Sequence, residues 1–256
     1  MQIGWRMGLL ALLLYVAFLV MNAPAAVLAW AIAAATEGVA NLDHARGGLW
    51  NGQATLVIAD DSGIAHRFER LRWDWLGARV MAGELALRIE IEDPKLHGGA
   101  RVALCVEGLR ASGAAFQLAA SALADYTRRR FPAALTGDLS IRSEEFSFRN
   151  ASYRGAVTME LRNAASAQSS LRPLGQYRAL VVGAGPHVEF RVNTLEGALR
   201  IEGGGTWSRT DGLNFSGSAR AIPAYKTELA QLLSIFGPDR AGEHSIRFSG
   251  LYRLAP

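Results

Sequence analysis

Side chains that bind metals or perform acid–base and nucleophilic chemistry are spread thinly along this sequence. Its five histidines stand far apart, and none forms a zinc-type motif. No Gly-x-Ser-x-Gly elbow occurs, and no glycine-rich phosphate loop ends in Lys-Ser or Lys-Thr. We therefore expect surface or turn positions for the histidines, and we predict neither a metal site nor a cofactor. The histidines are His44, His66, His97, His187 and His244.

Two pairs of adjacent carboxylates, Asp60-Asp61 and Glu144-Glu145, come nearest to an acid–base site. Neighbouring side chains on a strand point to opposite faces, so neither pair needs to converge on a substrate. Asp60-Asp61-Ser62-Gly63 instead has the composition of a hairpin turn. We predict that the protein is not an enzyme and has no catalytic residue. A hydrolase is the alternative, and it would need a cleft that gathers a nucleophile, a base and an oxyanion site.

Composition also limits the partners. Of the 256 residues, 20% are charged and 50% hydrophobic, and the formal net charge is +4. Most arginines alternate with apolar residues in strand-like runs, which is typical of the wet face of a sheet. Only Arg128-Arg129-Arg130 forms a cluster, and three cations do not make a nucleic-acid groove. We expect no nucleic acid and no small-molecule substrate, and we expect the single cysteine, Cys105, to be a buried small hydrophobe.

The N-terminal segment is far more apolar than the rest of the chain. Met7 to Val20 reads MGLLALLLYVAFLV, and the apolar character continues to Ala35. A helix rises about 1.5 Å per residue and needs about 20 residues to cross the hydrocarbon core, so a helix over 4–27 is long enough. Arg6 precedes this helix, which favours a cytoplasmic N-terminus and an exported body. We therefore predict a single-pass protein of the cell inner membrane with its bulk in the periplasm.

A cleaved signal peptide is the alternative to an uncleaved anchor. Arg6 would belong to its charged region, and Ala23-Pro24-Ala25 would supply a small-residue cleavage site. Proline beside the cut is unfavourable, and the apolar run continues past it. Beyond that proline the chain either completes the span or forms a short helix along the membrane, with Ala25, Leu28, Ile32 and Ala35 sharing one helical face.

Beyond residue 45 the dominant sequence period is two. In Leu85-Ala-Leu-Arg-Ile-Glu-Ile91, large apolar side chains alternate with small or charged ones, which is typical of a strand with one dry and one wet face. The pattern recurs in Leu139/Ile141, Val157/Met159/Leu161, Val188/Phe190/Val192, Leu199/Ile201 and Ile246/Phe248. The fold class that this predicts is mainly β: a twisted, curved, mostly antiparallel sheet with one or two short helices. We divide the chain into a membrane anchor with a short apolar continuation, 1–35, and a periplasmic β-rich domain, 36–256.

Two stretches break the period of two. Ala120–Arg130 indicates a helix or an irregular turn. Ala224–Phe236 predicts an amphipathic helix that Gly237-Pro238 ends, and we expect this helix to pack on the sheet. A helix that binds a partner's groove is the alternative. The residues on its apolar side are Tyr225, Leu229, Leu232, Leu233 and Phe236.

A short motif, Gly48-Leu49-Trp50-Asn51-Gly52, stands just before the first clear strand. Trp50 is a large amphipathic ring between two glycines, and glycine there permits a bulge or a close backbone approach beside the ring. The motif contains no group for chemistry. From the residues alone, we interpret Trp50 as an anchor of the first strand near the membrane.

At this motif the sequence resembles the type II secretion system protein N family, also called general secretion pathway protein N. The resemblance extends in order along nearly the whole chain. It rests on the N-terminal anchor, Gly48-Leu49-Trp50-Asn51-Gly52-Gln53-Ala54, Leu71-Arg-Trp73, Gly83-Glu-Leu, Leu229-Ala-Gln-Leu-Leu-Ser-Ile-Phe-Gly-Pro238 and Ile246-Arg-Phe-Ser-Gly250. It implies an accessory inner-membrane component of the machinery that exports folded proteins across the outer membrane, with other components of that machinery as partners. It brings no cofactor and no catalytic residue, and Gly48, Leu49, Trp50 and Gly52 are carried over as a structural family marker.

Two non-enzymatic functions therefore compete. The first is a scaffold whose sheet and edge strands contact other secretion components. The second is a lipid-handling protein, tethered to the inner membrane, whose sheet curls into a groove for acyl chains. The inner face discriminates between them: a covering layer over Leu85, Leu87, Ile89, Leu139 and Ile141 indicates an ordinary core, whereas an open trough favours lipid.

Overall fold

The computed structural model describes residues 2–59, 65–77, 84–121, 135–236, 239–240 and 242–250. The predicted turn at Asp60–Gly63 lies outside these residues, as does nearly all of Ala120–Arg130 and the cluster Arg128–Arg130. Gly83 and Gly237-Pro238 also lie outside them.

Helices are few. They are α1 (Gln2–Met21), α2 (Ala25–Ala35) and α3 (Ala230–Ser234), with a 3-10 turn at Pro223–Tyr225. Pro24 separates α1 from α2, because proline has no N–H for a continuous helix. None of the helices within the described residues combines the length and the hydropathy needed to span a membrane.

In the part of the chain that the structure describes, fourteen strands form one antiparallel sheet. Their bounds are β1 Ala40–Gly47, β2 Asn51–Ala59, β3 Ala65–Trp75, β4 Leu85–Glu92, β5 Leu96–Cys105, β6 Gly108–Ala119, β7 Leu135–Arg149, β8 Ser152–Ser166, β9 Gly175–Gly185, β10 His187–Gly197, β11 Leu199–Ser208, β12 Gly212–Ala221, β13 Asp239–Arg240 and β14 Glu243–Gly250. From β1 to β12 each strand pairs with the next in sequence, and β14 lies between β12 and β13. At about 4.8 Å per strand the sheet extends over roughly 60 Å. The mainly β, antiparallel fold class is confirmed.

The predicted alternation places apolar side chains on one face of the central strands. Directly opposed residues on neighbouring strands share a face. Ile141, Met159, Ala179 and Val192 oppose one another in turn from β7 to β10, and we call them the central apolar row. All four are half-buried.

The opposite face of the central strands is mostly polar, with Leu180 and Val182 of β9 exposed on it. Glu160 lies there between two arginines, and its carboxylate accepts hydrogen bonds from Arg178 (Nε–Oε1 3.0 Å) and Arg162 (Nη2–Oε2 3.2 Å). Chiefly the bond from Arg178, and then that from Arg162, holds the pKa of Glu160 below its ordinary value. This face therefore stays charged and wet, as the alternating arginines predict.

Two separate hydrophobic clusters cover the two ends of the sheet. The N-terminal cluster lies beneath α2, which packs Ala25, Leu28 and Ile32 towards Phe68 and Trp73. The C-terminal cluster lies beneath α3, and its members are Leu174, Ala198, Leu199, Ala219, Leu229, Leu232, Leu233 and Ile246. Of the face predicted for α2, three residues pack on the sheet, whereas Ala35 is exposed and Ala29 packs in addition. The central apolar row belongs to neither cluster.

One local prediction is wrong. The helix expected over Ala224–Phe236 is only the five-residue α3, preceded by the 3-10 turn and further turns. Leu229, Leu232 and Leu233 are nevertheless fully buried, because a series of turns can present the same side chains to the sheet.

Leu85 lies on the predicted apolar face, where it opposes Leu104, which in turn opposes Leu109. None of the three belongs to either hydrophobic cluster, and Leu85 is therefore 49% exposed. Its neighbour Ala86, on the polar face, is 2% exposed. Arg110, on β6, forms ion pairs with Glu84 and Glu145 at 3.7 and 3.5 Å. Ala86 opposes Ala103, and Ala103 opposes Arg110, so the alkyl part of the arginine covers small side chains there.

Candidate functional site

The motif Gly48–Gly52 forms the connection between β1 and β2, beside the end of α1. Gly47 ends β1 with a φ of +91°, a conformation that favours glycine. The N–H of Gly48 donates to the carbonyl of Asn51 at 2.8 Å and closes the turn. Gly48 also forms an isolated antiparallel bridge with Pro24, in the link between α1 and α2.

Trp50 joins the sheet to α1. Its indole Nε1 donates to the carbonyl of Val20 at 2.8 Å. This carbonyl lies in the last turn of α1, where acceptors have no partner inside the helix, and it also accepts a hydrogen bond from the N–H of Ala23 at 3.3 Å. The ring meets Trp75 edge to face, with centroids 4.5 Å apart and planes at 79°. One side chain therefore contacts both the helix end and β3.

Leu49 makes a second connection, through its backbone. Its N–H donates to the carbonyl of Ala23 at 2.7 Å, in the link between the helices. Its carbonyl accepts a hydrogen bond from Nε1 of Trp73 at 3.1 Å. The N–H of Trp75 donates to the carbonyl of Trp50 at 2.7 Å. Together these bonds fix the end of α1 against β1, β2 and β3, and we call this region the helix–sheet joint.

The two glycines of the motif stand in different surroundings. A Cβ on Gly52 would lie 2.4 Å from Cζ2 of Trp73 and 2.8 Å from the carbonyl of Arg46, far inside contact distance. A Cβ on Gly48 would meet its nearest atom, the carbonyl of Ala23, at 3.6 Å. Glycine is therefore required by space at position 52 and not at position 48.

The joint holds no reactive group. Its polar contacts are indole and backbone donors with carbonyl acceptors, so it can position an element but cannot transfer a proton at neutral pH. Beside it, on the polar face, a cleft of about 370 Å³ is lined by Arg46, Gln53, Arg72 and Asp74 together with residues of the motif. The carboxylate of Glu92 lies 3.7 Å from Arg72, outside the lining.

Elsewhere in the described part of the chain, no three His, Cys, Asp or Glu side chains come close enough to hold a metal ion. His97 Nε2 lies 3.2 Å from the amide oxygen of Gln117, and His187 Nε2 lies 3.5 Å from Glu189. Cys105 is half-buried at the end of β5 and forms no disulfide. Glu145 forms an ion pair with Arg110, and together with Glu144 and Glu160 it lines an open cleft of about 810 Å³ on the polar face.

Sequence reasoning marked Trp50 but missed its partners. Trp73 and Trp75 stand two residues apart on one strand and so share a face. From that spacing alone, an aromatic contact beside Trp50 could have been predicted. The acceptors Val20 and Ala23 could not, because each acts through a backbone carbonyl.

Comparison with protein families gives one match. The model of the family described as type II secretion system (T2SS), protein N, matches residues 39–247, which include every strand of the sheet up to β14. Comparisons with curated proteins and with solved structures gave no match. Because the family model covers well over half of the chain, this protein belongs to the type II secretion system protein N family.

Proposed function

We propose that this type II secretion component is a non-enzymatic accessory protein of the inner membrane, which scaffolds the export of folded proteins across the outer membrane. The observation that carries the proposal is the helix–sheet joint. A long sheet is fixed at one end to the end of an apolar helix, which suits a protein that holds a periplasmic surface at the membrane. The other components of the secretion machinery are its expected partners.

The surroundings of α1 support the membrane placement. Its large side chains from Met7 to Met21 are strongly exposed, with Leu10 at 59% and Phe18 at 63%. Side chains of this kind need an apolar environment, and lipid supplies one. Trp30 on α2 is 72% exposed, as expected for a ring at an interface. In this proposal residues 1–35 are the anchor with its continuation, the N-terminus is cytoplasmic and residues 36–256 are periplasmic.

The polar face supports a scaffolding role. Arg142, Arg191 and Arg247 are exposed there, and the described residues provide none of them with an ion pair. Among the described residues the edge strand β1 pairs only with β2, so its other edge can pair with a partner strand wherever α2 does not lie against it. Both features offer contacts to a protein and neither requires a substrate.

The test is the secretion of a folded exoprotein after deletion of this gene. Loss of secretion, restored by the wild-type gene, is expected. Trp50→Ala should restore less than Trp30→Ala, since only Trp50 bonds α1 to the sheet. Extraction of membranes at alkaline pH should leave the chain with the lipid, and N-terminal sequencing should find α1 uncleaved. Normal secretion in the deletion strain would refute the proposal.

A second function, lipid handling, is favoured by the central apolar row, which no helix of the described residues covers. Neither α2 nor α3 packs on Leu139 or Ile141, and both are half-buried. A hydrocarbon chain needs no hydrogen bonds, and the row offers none. Because neither helix packs on Leu139 or Ile141, this part of the inner face resembles an open trough more than a covered core. Leu87 and Ile89, by contrast, pack against the N-terminal cluster.

The two functions predict different phenotypes. Unchanged secretion together with altered lipid asymmetry of the outer membrane would favour lipid handling. Met159→Lys places a charge in the row and should remove co-purifying lipid, whereas Thr158→Lys, on the polar face, should not. Lost secretion in the deletion strain, with no lipid bound to the wild-type protein, would support the scaffolding function and refute lipid handling.

A further inference from the structure

A cleft at one end of β11, β12 and β14 gathers cationic side chains. Arg200, Arg220 and Lys226 line it, and its volume is about 850 Å³. Glu243 is the only carboxylate among its described lining residues. Three cations against one carboxylate leave two positive charges in excess.

The two arginines are placed unfavourably for an empty cleft. Arg200 and Arg220 are directly opposed across β11 and β12, and like charges in such positions repel. Arg220 Nη1 lies 3.4 Å from Oε1 of Glu243, but both side chains are about half exposed, so water screens this pair. Among the described side chains, Arg200 and Lys226 have no acidic partner. A bound anion would relieve the repulsion and pair all three cations.

One wall of the cleft is apolar and fixed in place. It consists of Ala221, Ile222 and Pro223. The N–H of Ile222 donates to the carbonyl of Ala198 at 2.9 Å, and Ala221 and Ile222 pack against the C-terminal cluster. The cleft is much larger than one small anion. It therefore suits an anionic group that is attached to a less polar moiety.

We propose that this cleft binds a phosphate monoester. Near neutral pH such a group carries a charge of about −1.5 to −2, which matches the excess in the lining. Guanidinium groups bind phosphate through paired N–H donors, and a lysine adds a point charge. A protein carboxylate carries only one charge and would leave a cation unpaired. The site is independent of the scaffolding function, since it lies outside the helix–sheet joint and the central apolar row.

The experiment is calorimetric titration of the full-length protein in neutral detergent with inorganic phosphate and with short-chain phosphatidic acid, at constant ionic strength. Saturable binding is expected. Arg200→Gln and Lys226→Gln should each raise Kd about tenfold, the usual result of removing one charge-assisted bond. Arg191→Gln is the matched control, because it removes an exposed arginine of the same sheet outside the cleft. Without phosphate, Arg200→Gln should unfold at a temperature no lower than the wild type, since it removes the repulsion.

The two probes distinguish the sources of the phosphate. Binding of both indicates a lipid headgroup, and binding of inorganic phosphate alone indicates a soluble phosphate ester. The proposal is wrong if neither probe binds saturably, or if Arg191→Gln weakens binding as much as Arg200→Gln. It is equally wrong if an acidic peptide displaces phosphate at lower concentration than phosphatidic acid does, since the cleft would then be a protein-binding site.

Discussion

At the residue scale, the two glycines of the Gly48–Gly52 motif differ in whether a larger residue can replace them. Gly52→Ala would press a methyl group into the ring of Trp73, so we expect it to lower the free energy of unfolding by about 1–3 kcal/mol. Gly48→Ala has ordinary contact distances and should change it by less than about 0.5 kcal/mol. Denaturant unfolding followed by tryptophan fluorescence measures both. Equal effects would mean that Trp73 does not lie against Gly52.

The family marker was visible in the sequence, and its physical role was not. Sequence alone associates Trp50 with the first strand near the membrane. Its hydrogen bond reaches a backbone carbonyl at Val20, thirty residues away. The sequence cannot identify such an acceptor, because every residue has a backbone carbonyl. Only the fold brings the two atoms together.

Tyr177 provides a pH-dependent contribution at the same scale. Its buried hydroxyl donates to the carbonyl of Leu199 at 3.0 Å, and burial raises the pKa of Tyr177 well above its ordinary value of 10.0. The folded state thus holds the proton while the unfolded state releases it above pH about 10. The contribution to stability is complete below that pH and declines as the pH rises further.

Tyr177→Phe tests this linkage. At pH about 8 it should lower the free energy of unfolding by about 1 kcal/mol, through the lost hydrogen bond. At pH about 11 the difference from the wild type should shrink, because the variant has no phenol there to keep protonated. Tyr225→Phe, at an exposed position, is the control and should show a constant difference. A Tyr177→Phe difference that grows with pH would contradict the assignment.

At the scale of elements, strands were predictable and the last helix was not. Alternation identified the face of Ile141, Met159 and Val192 because one side of each strand is wet. The spacing of Leu229, Leu232 and Leu233 fits a helix, but it fits a turn followed by a short helix equally well. The spacing of apolar residues predicts which side chains point inward. Here a continuous helix and a turn followed by a short helix both fit that spacing.

Glycine on β11 allows aromatic rings of two other strands to meet. Gly205 lies directly between Phe190 and Phe215, whose rings stack above it with centroids 5.8 Å apart. An added Cβ would lie 1.9 Å from the carbonyl of Asn214 and 2.8 Å from Cζ of Phe190. Gly205 therefore sets the close contact between β10 and β12 on the apolar face.

We expect Gly205→Ala to cost at least about 2 kcal/mol of unfolding free energy, since both backbone and ring must move. Gly204→Ala points its methyl group to the polar face, 3.0 Å from the carbonyl of Phe190, and should cost less than half as much. Thermal unfolding by circular dichroism compares the two. A larger loss of stability in Gly204→Ala would mean that the Phe190–Phe215 stack does not lie on the face of Gly205.

At the scale of the whole molecule, the sequence could not specify a single sheet of fourteen strands. Alternation shows that each strand has an apolar side, and it leaves open what covers that side. A second sheet would have produced the same pattern. In the described structure the covers are α2 and α3, which are short and lie at the two ends. The central strands, which show the cleanest alternation, are therefore the least covered.

Because α2 and α3 cover only the two ends of the sheet, we expect the same side-chain truncation to lower the free energy of unfolding more at the ends than at the centre. Leu232→Ala empties a fully buried position under α3 and should cost about 2–5 kcal/mol of unfolding free energy. Leu139→Ala removes the same atoms from a half-buried position on β7, outside both clusters, and should cost about 1 kcal/mol. Denaturant titration of the two variants in the same neutral detergent gives the comparison. Similar costs would mean that another layer covers the central strands in solution, and the lipid-handling function would then lose its structural basis while the scaffold would keep its own.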